Sequence, residues 1–239
     1  MNTRNLRCVT FTGADDTVSP NMLYVTWGLY PGVEWGILVS KSVEGKRRFP
    51  TRAWVSELCR VKYNNPDLPL SLHVCGRWLR DFMMGIVDPY LEELFPYFDR
   101  VQLNFHGNGH SHLAKVFDYM ERWPGIEWIF QYDSWNYPTL QSAYEKGIKH
   151  SALFDMSHGA GVLPDQWPKP LKNSPCGYAG GLGPDNVVEQ YLSIQKTVGP
   201  DYKFWIDMET KVRGDVEQAK DVFDMKKVMT VLRHIYGPA

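Results

Sequence analysis

The chain has 239 residues, of which 44% are hydrophobic and 22% are charged, and its formal net charge at pH 7 is -1. This composition supports a large buried core and excludes a disordered chain. The balanced charge argues against a nucleic-acid binder, which would carry a basic face or tail. The sequence contains neither an apolar run of about 18 residues nor the apolar segment of a secretory signal. We therefore expect a soluble, cytoplasmic protein with no membrane or nucleic-acid partner.

Eight short apolar runs, each ending in polar or glycine residues, predict β-strands. They cover residues 6–11, 35–39, 70–74, 101–105, 126–132, 152–156, 176–179 and 204–208. Helical patterns occupy most of the connections, at 51–61, 77–95, 112–123, 139–146, 185–198 and 215–236. The first connection predicts only a short helix, and the proline-rich sixth predicts a loop. Alternating strands and helices of this length predict an α/β fold, a single (β/α)8 barrel over residues 1–239.

Polar residues recur at alternate positions near the carboxyl ends of these strands. Because alternate side chains point into a barrel, these residues are predicted to face its interior. Buried polar groups without partners cost a few kcal/mol each, so a polar ligand pocket explains them better than a structural core. The predicted pocket residues are Thr12, His73, Cys75, Gln102, Asn104, Gln131, Asp133, Asp155, Asp207 and Glu209.

A glycine-rich turn connects the seventh strand to the next predicted helix. Gly180 and Gly181 precede Pro184, Asp185 and Asn186 in this segment. Glycines let the backbone approach a ligand closely, and the first N–H groups of a helix bind anions. The turn therefore predicts an anion site, most simply for a phosphate.

The four cysteines carry no paired spacing, which predicts neither a disulfide framework nor a zinc site. They are Cys8, Cys59, Cys75 and Cys176.

The segment 178–187, YAGGLGPDNV, resembles the Ala-Gly-Gly-Leu-x-Pro-x-Asn-Val phosphate loop of phosphoribosylanthranilate isomerase, a (β/α)8 enzyme. Residues 101–107, 153–155 and 158–161 resemble further segments of that family in the same order. The resemblance implies an Amadori rearrangement of a phosphorylated sugar amine without a cofactor. It implies that Gly180, Gly181 and Asn186 hold phosphate, that Asp155 is the general acid, and that Arg47 or Arg48 binds substrate.

Two positions depart from the family. Thr12 stands where the family has a cysteine as general base, and a threonine hydroxyl cannot be a base near neutral pH. Residues 209–213 replace the family's Ser-Ser-Gly-Val-Glu turn, so that Lys211 or Arg213 would supply charge to a phosphate instead. The base is then predicted among three other residues. They are Cys75 activated by His73, Asp133 and Glu209.

We therefore predict a small, phosphorylated, sugar-like ligand and acid–base chemistry of an isomerase or lyase. His73, Gln102, Asn104 and Thr12 are expected to contact substrate, without a metal or other cofactor. Two alternatives stay open. One is an inactive barrel that binds a metabolite or a partner. The other is a metal-dependent hydrolase or lyase, whose divalent metal would be held among His73, His106, Asp133, Asp155, Asp207 and Glu209. The oligomeric state is open between a monomer and a homodimer.

Overall fold

The computed structural model describes residues 3–105, 112–132, 136–155, 161–216 and 219–239. Eight parallel strands close into a barrel in chain order, with the last paired to the first. They are β1 (Leu6–Thr12), β2 (Val33–Val39), β3 (Leu70–Val74), β4 (Arg100–Leu103), β5 (Glu127–Tyr132), β6 (His150–Asp155), β7 (Cys176–Ala179) and β8 (Phe204–Met208). The predicted (β/α)8 barrel is confirmed.

Eight α-helices lie in the described part of the chain. They are α1 (Pro20–Leu29), α2 (Arg52–Asn64), α3 (Gly76–Met83), α4 (Pro89–Leu94), α5 (Leu113–Met120), α6 (Tyr137–Glu145), α7 (Val187–Val198) and α8 (Met225–Tyr236). Two short 3-10 helices cover Phe95–Tyr97 and Thr210–Val212. The helix predicted at 77–95 is two helices, because Gly85 adopts a positive φ and Pro89 begins a new one. In the sixth connection, residues 161–174 hold no helix, as predicted.

Side-chain caps fix where several of the helices begin. Thr51 accepts a hydrogen bond from the Trp54 amide at the start of α2, and Asp88 accepts one from the Tyr90 amide at the start of α4. Such caps satisfy backbone N–H groups that a helix leaves unpaired at its first turn. No helix among the described residues is both long and apolar enough to cross a bilayer.

The helix predicted over 215–236 is wrong in its first part. Strands β9 (Arg213–Val216) and β10 (Ala219–Phe223) form an antiparallel pair there, and α8 begins only after Asp224, whose carboxylate caps it. The buried Arg213 guanidinium holds the pair in place, through ion pairs of 2.7 Å to Asp15 and 2.8 Å to Asp221. Arg213 is therefore committed to structure, which corrects its predicted role as a phosphate ligand.

The lower end of the barrel, at the amino ends of the strands, holds a network of buried charges. Arg100 lies 3.0 Å from Glu34 and 3.9 Å from Glu127, and Arg7 donates to Glu127 at 2.8 Å. Burial raises the pKa of Glu127, but the Arg7 hydrogen bond and the Arg100 charge outweigh it and lower that pKa to about 2. The carboxylates are paired with arginines, and a second cavity of about 300 Å³ lies among Arg7, Cys8, Glu34, Arg100 and Glu127.

Trp205 separates this lower network from the upper end of the barrel. The Arg100 guanidinium lies 4.3 Å from the centre of the indole, and the ring packs against Ile129, Leu153 and Ala179. A Cβ at Gly177 would come within 2.1 Å of the ring, so only glycine leaves room for it. Trp205 therefore fills the middle of the barrel.

Candidate active site

A cavity of about 270 Å³ opens at the carboxyl ends of the strands. Eleven of the predicted pocket and site residues line it: Thr12, His73, Gln102, Asn104, Gln131, Asp155, Gly180, Gly181, Asp207, Glu209 and Lys211. Arg48, Cys75 and Asn186 are not among the lining residues. Asp133, a predicted base, lies outside the described residues, as do His106 and residues 158–160 of the predicted motifs.

Asp207 lies in the lower part of the cavity and is 5% exposed. The Thr12 hydroxyl donates a hydrogen bond of 2.8 Å to its Oδ1 atom. Burial raises the pKa of Asp207 to about 8, and the charges of Glu34 and Glu209 act in the same direction. The sequence placed Asp207 on the inward face of β8 but assigned it only to the metal-site alternative. Its position two residues before Glu209 was the available signal.

Gly36 of β2 gives Thr12 and His73 the space they occupy. A Cβ at Gly36 would lie 2.2 Å from the Thr12 hydroxyl oxygen and 3.0 Å from Nε2 of His73. Both side chains therefore pack over the bare backbone of β2.

His73 and Gln102 form the opposite side of the cavity floor. Burial and the nearby Arg100 charge lower the pKa of His73 to about 3, so its imidazole is neutral. Gln102 donates from Nε2 to the side-chain Oδ1 of Asn104 at 2.7 Å. Neither Nε2 of His73 nor Oε1 of Gln102 has a hydrogen-bond partner among the described residues.

Cys75 does not have the environment predicted for a base. Burial raises the pKa of its thiol to about 12, which keeps it protonated at neutral pH. Its sulfur lies 3.7 Å from the backbone oxygen of His73 and accepts from the Asn104 amide at 3.3 Å. The predicted activation by the His73 imidazole therefore receives no support.

Asp155 and Glu209 complete the set of carboxyl groups in the cavity. Gln131 donates to Asp155 at 3.3 Å, and the Arg48 guanidinium lies 2.8 Å from Glu209. Burial raises the pKa of Glu209, the Arg48 pair opposes this, and the Asp155 charge adds to it. Arg48 also lies 3.3 Å from Asp221, so it positions Glu209 at the cavity edge. Its role as a substrate ligand stays a prediction.

The glycine turn after β7 forms one wall of the cavity. Gly180 and Gly181 have φ values of 113° and 66°, and a Cβ at Gly181 would lie 2.6 Å from the Leu163 backbone nitrogen. Asn186 accepts from the Gly183 amide and donates to the Gly181 carbonyl, each at 2.9 Å. These two hydrogen bonds stabilise the conformation of the loop, and Asn186 itself does not line the cavity. The exposed Lys211 stands beside the loop and lines the cavity.

Among the described residues, no three His, Cys, Asp or Glu side chains are grouped closely enough to hold a metal ion. The metal-site alternative included two residues, His106 and Asp133, that are outside this part of the chain.

Neither protein-family models nor curated protein sequences match this chain. Solved structures do. Phosphoribosylanthranilate isomerase from Thermotoga maritima is 16% identical, with a TM-score of 0.54 over 96% of this chain and 98% of that one. The chain is a divergent (β/α)8 barrel.

Other similar structures are also barrel enzymes. Phospho-2-dehydro-3-deoxyheptonate aldolase from Thermotoga maritima is 12% identical, with a TM-score of 0.55 over 97% of this chain and 68% of that one. 3-Hexulose-6-phosphate synthase from Salmonella typhimurium is also 12% identical, with a TM-score of 0.50 over 95% and 98%. At these identities the likeness shows the fold alone, and it does not single out the isomerase family.

Proposed function

We propose that this barrel binds a small, phosphorylated, sugar-like metabolite and catalyses an acid–base isomerisation or an aldol-type cleavage. The observation that carries the proposal is the arrangement of one cavity. Three carboxyl groups, from Asp155, Asp207 and Glu209, line it together with a positive-φ glycine turn. Isomerisation and aldol-type cleavage need a positioned acid and a positioned base, and this cavity offers candidates for both.

In this proposal Asp155 is the general acid and Asp207 is the general base. Thr12 occupies the position of the family's cysteine and is hydrogen-bonded to Asp207, which brings a carboxyl group to that place. A pKa of about 8 makes the Asp207 carboxylate more basic than an ordinary aspartate. At pH 7 about a tenth of the molecules carry it deprotonated. Glu209, which is paired with Arg48, is the alternative base.

The phosphate would lie at the glycine turn. Gly180 and Gly181 line the cavity and carry no side chain, and Lys211 stands beside them as a cation. Backbone N–H groups together with a lysine form a common phosphate site. The names of three similar structures include a phosphorylated compound: phosphoribosylanthranilate, 3-hexulose-6-phosphate and 3-keto-L-gulonate-6-phosphate. This agrees with a phosphorylated ligand.

Ligand binding is tested by thermal unfolding with inorganic phosphate, sugar phosphates and the corresponding free sugars. A ligand that binds only the native state raises the melting temperature, and we expect this from the phosphorylated compounds alone. Gly181→Asp should abolish the shift, because a Cβ there would collide with the Leu163 backbone and displace the turn, and the added carboxylate would repel a phosphate. Gly147→Asp is the matched control, since Gly147 also has a positive φ but has open space around it. No shift with any phosphorylated compound would refute the proposal.

Catalysis is tested on the sugar phosphates that bind. Proton abstraction next to a carbonyl exchanges that hydrogen for deuterium in D₂O, and proton NMR follows the loss of its signal. Asp155→Asn should abolish turnover while ligand affinity stays within several-fold, because it removes an acid and keeps the side-chain shape. Full turnover in that variant would exclude Asp155 from the mechanism. Binding with neither exchange nor turnover would favour the inactive, metabolite-binding barrel.

A further inference from the structure

The cavity floor consists of Thr12, His73, Gln102, Asn104 and Asp207. Two of these side chains present polar atoms that have no hydrogen-bond partner among the described residues, although His73 is only 1% exposed and Gln102 only 4%. Native proteins rarely leave buried polar atoms unpaired, and each exception requires an explanation. Because both residues line the cavity, a ligand that supplies the missing partners is a direct explanation.

The floor carries almost no charge at neutral pH. The Gln102 and Asn104 amides and the Thr12 hydroxyl are uncharged groups. The His73 imidazole is neutral because burial lowers its pKa to about 3, and Asp207 is mostly protonated because burial raises its pKa to about 8. The cation below the floor, Arg100, is paired with Glu34 at 3.0 Å.

In the part of the chain that the structure describes, the atom of Gln102 that has no partner is an acceptor. Its Nε2 atom donates to Oδ1 of Asn104, whereas its Oε1 atom has no partner among the described residues, and Gln102 lines the cavity. A ligand hydroxyl can donate to this oxygen, whereas a ligand carboxylate would place two acceptors against it.

The phosphate side lies across the barrel from His73 and Gln102. His73 and Gln102 are carried by β3 and β4, whereas Gly181 and Lys211 follow β7 and β8, the opposite strands of an eight-stranded barrel. We propose that the ligand binds in one orientation, with its phosphate at Gly181 and Lys211 and an uncharged, hydroxyl-bearing end at His73 and Gln102. The substrate class is then a phosphorylated neutral sugar rather than a phosphorylated sugar acid. This inference rests on the proposed function and narrows it.

A matched pair of probes tests the inference. Glucitol 6-phosphate and 6-phosphogluconate share a six-carbon chain and a phosphate, and they differ at C1, where a hydroxymethyl group replaces a carboxylate. Isothermal titration of the wild-type protein should show at least tenfold tighter binding of glucitol 6-phosphate. Gln102→Leu should weaken glucitol 6-phosphate about tenfold and leave the affinity for inorganic phosphate unchanged. Gln141→Leu, on the exposed face of α6, is the matched control and should change neither affinity.

The outcomes separate the two proposals. Equal affinity for the two probes, or tighter binding of 6-phosphogluconate, would overturn the inferred orientation while the phosphate site stands. Equal affinity of Gln102→Leu and wild type for glucitol 6-phosphate would also overturn it. If neither probe nor inorganic phosphate binds, the proposed function itself fails, and the inference fails with it.

Discussion

Two buried carboxyl groups, one at each end of the barrel interior, have pKa values shifted in opposite directions. At the lower end, Glu127 faces Arg7 and Arg100, and its pKa falls to about 2. At the upper end, burial of Asp207 outweighs the Thr12 hydrogen bond and the Arg100 charge, and its pKa rises to about 8. Burial raises the pKa in both cases, so the arginines that contact Glu127 make the difference. These arginines keep Glu127 a structural carboxylate, whereas Asp207, which has no ion pair in the described part of the chain, is a candidate for chemistry.

The largest effect on the free energy of unfolding should come from removing a charge at the lower end of the barrel. Arg100→Met removes the cation between Glu34 and Glu127. These two buried carboxylates then lose the positive charge that they share. We expect a loss of about 3–5 kcal/mol in the free energy of unfolding, measured by urea denaturation. Adding Glu34→Gln should recover part of the loss. Arg77→Met is the control, because the ion pair of Arg77 with Asp81 is exposed and contributes little. A loss below about 1 kcal/mol for Arg100→Met would mean that the lower charges are not structural.

At the upper end, replacing a titratable side chain by a neutral one should instead stabilise the protein. The folded pKa of Asp207 lies above its unfolded value, so unfolding releases a proton between about pH 4 and pH 8 and wild-type stability falls over that range. Asp207→Asn removes this loss. The variant should be more stable by roughly 4 kcal/mol at most at pH 7, with no gain below about pH 4 and a constant gain above pH 8.

Urea denaturation of Asp207→Asn at pH 4, 6 and 8 measures this gain. The exposed Asp201→Asn is the matched control and should show no such dependence. A gain for Asp207→Asn that does not change with pH would contradict the assignment of the raised pKa to Asp207.

The pH profile of turnover tests the same group in its chemical role. If the Asp207 carboxylate is the base, the rate should rise about tenfold per pH unit up to about pH 8 and then level off. Deuterium exchange between pH 6 and pH 9 measures the profile. A rate that falls above pH 8 would instead make the protonated Asp207 the acid.

Adding a Cβ to the crowded cavity floor should have a smaller effect on stability and turnover. Gly36→Ala places a Cβ against the Thr12 hydroxyl and His73, so Thr12 must move away from Asp207. We expect a loss of about 1–3 kcal/mol in stability and a several-fold lower turnover. Gly28→Ala in α1 has open space around it and should be neutral or slightly stabilising. Unchanged turnover in Gly36→Ala would show that the contact between Thr12 and Asp207 does not matter.

The sequence predicted the barrel well because its strands are continuous apolar runs, a local signal. It missed the start of β2, where the buried Glu34 interrupts the apolar pattern. The pair β9 and β10 was also missed, because it depends on contacts of Arg213 with Asp15, far away in the chain.

In the candidate site, too, the sequence predicted the features that depend on a local pattern and missed those that depend on distant contacts. Side-chain alternation along the strands predicted that Thr12, Asp155 and Glu209 share a cavity, because only the strand periodicity was needed. The high pKa of Asp207 and the inert thiol of Cys75 depend on burial and on which charges stand nearby in three dimensions. Neither can be derived from spacing alone.

The tryptophan in the middle of the barrel determines how molecules pass through the site. Because the Trp205 ring occupies the space that Gly177 leaves, it closes the cavity from below among the described residues, and the cavity opens at the rim. In the proposed reaction, substrate and product would use the same entrance, and the next substrate could enter only after the product had left. Product should then act as a competitive inhibitor, and its departure would set an upper limit on the turnover rate.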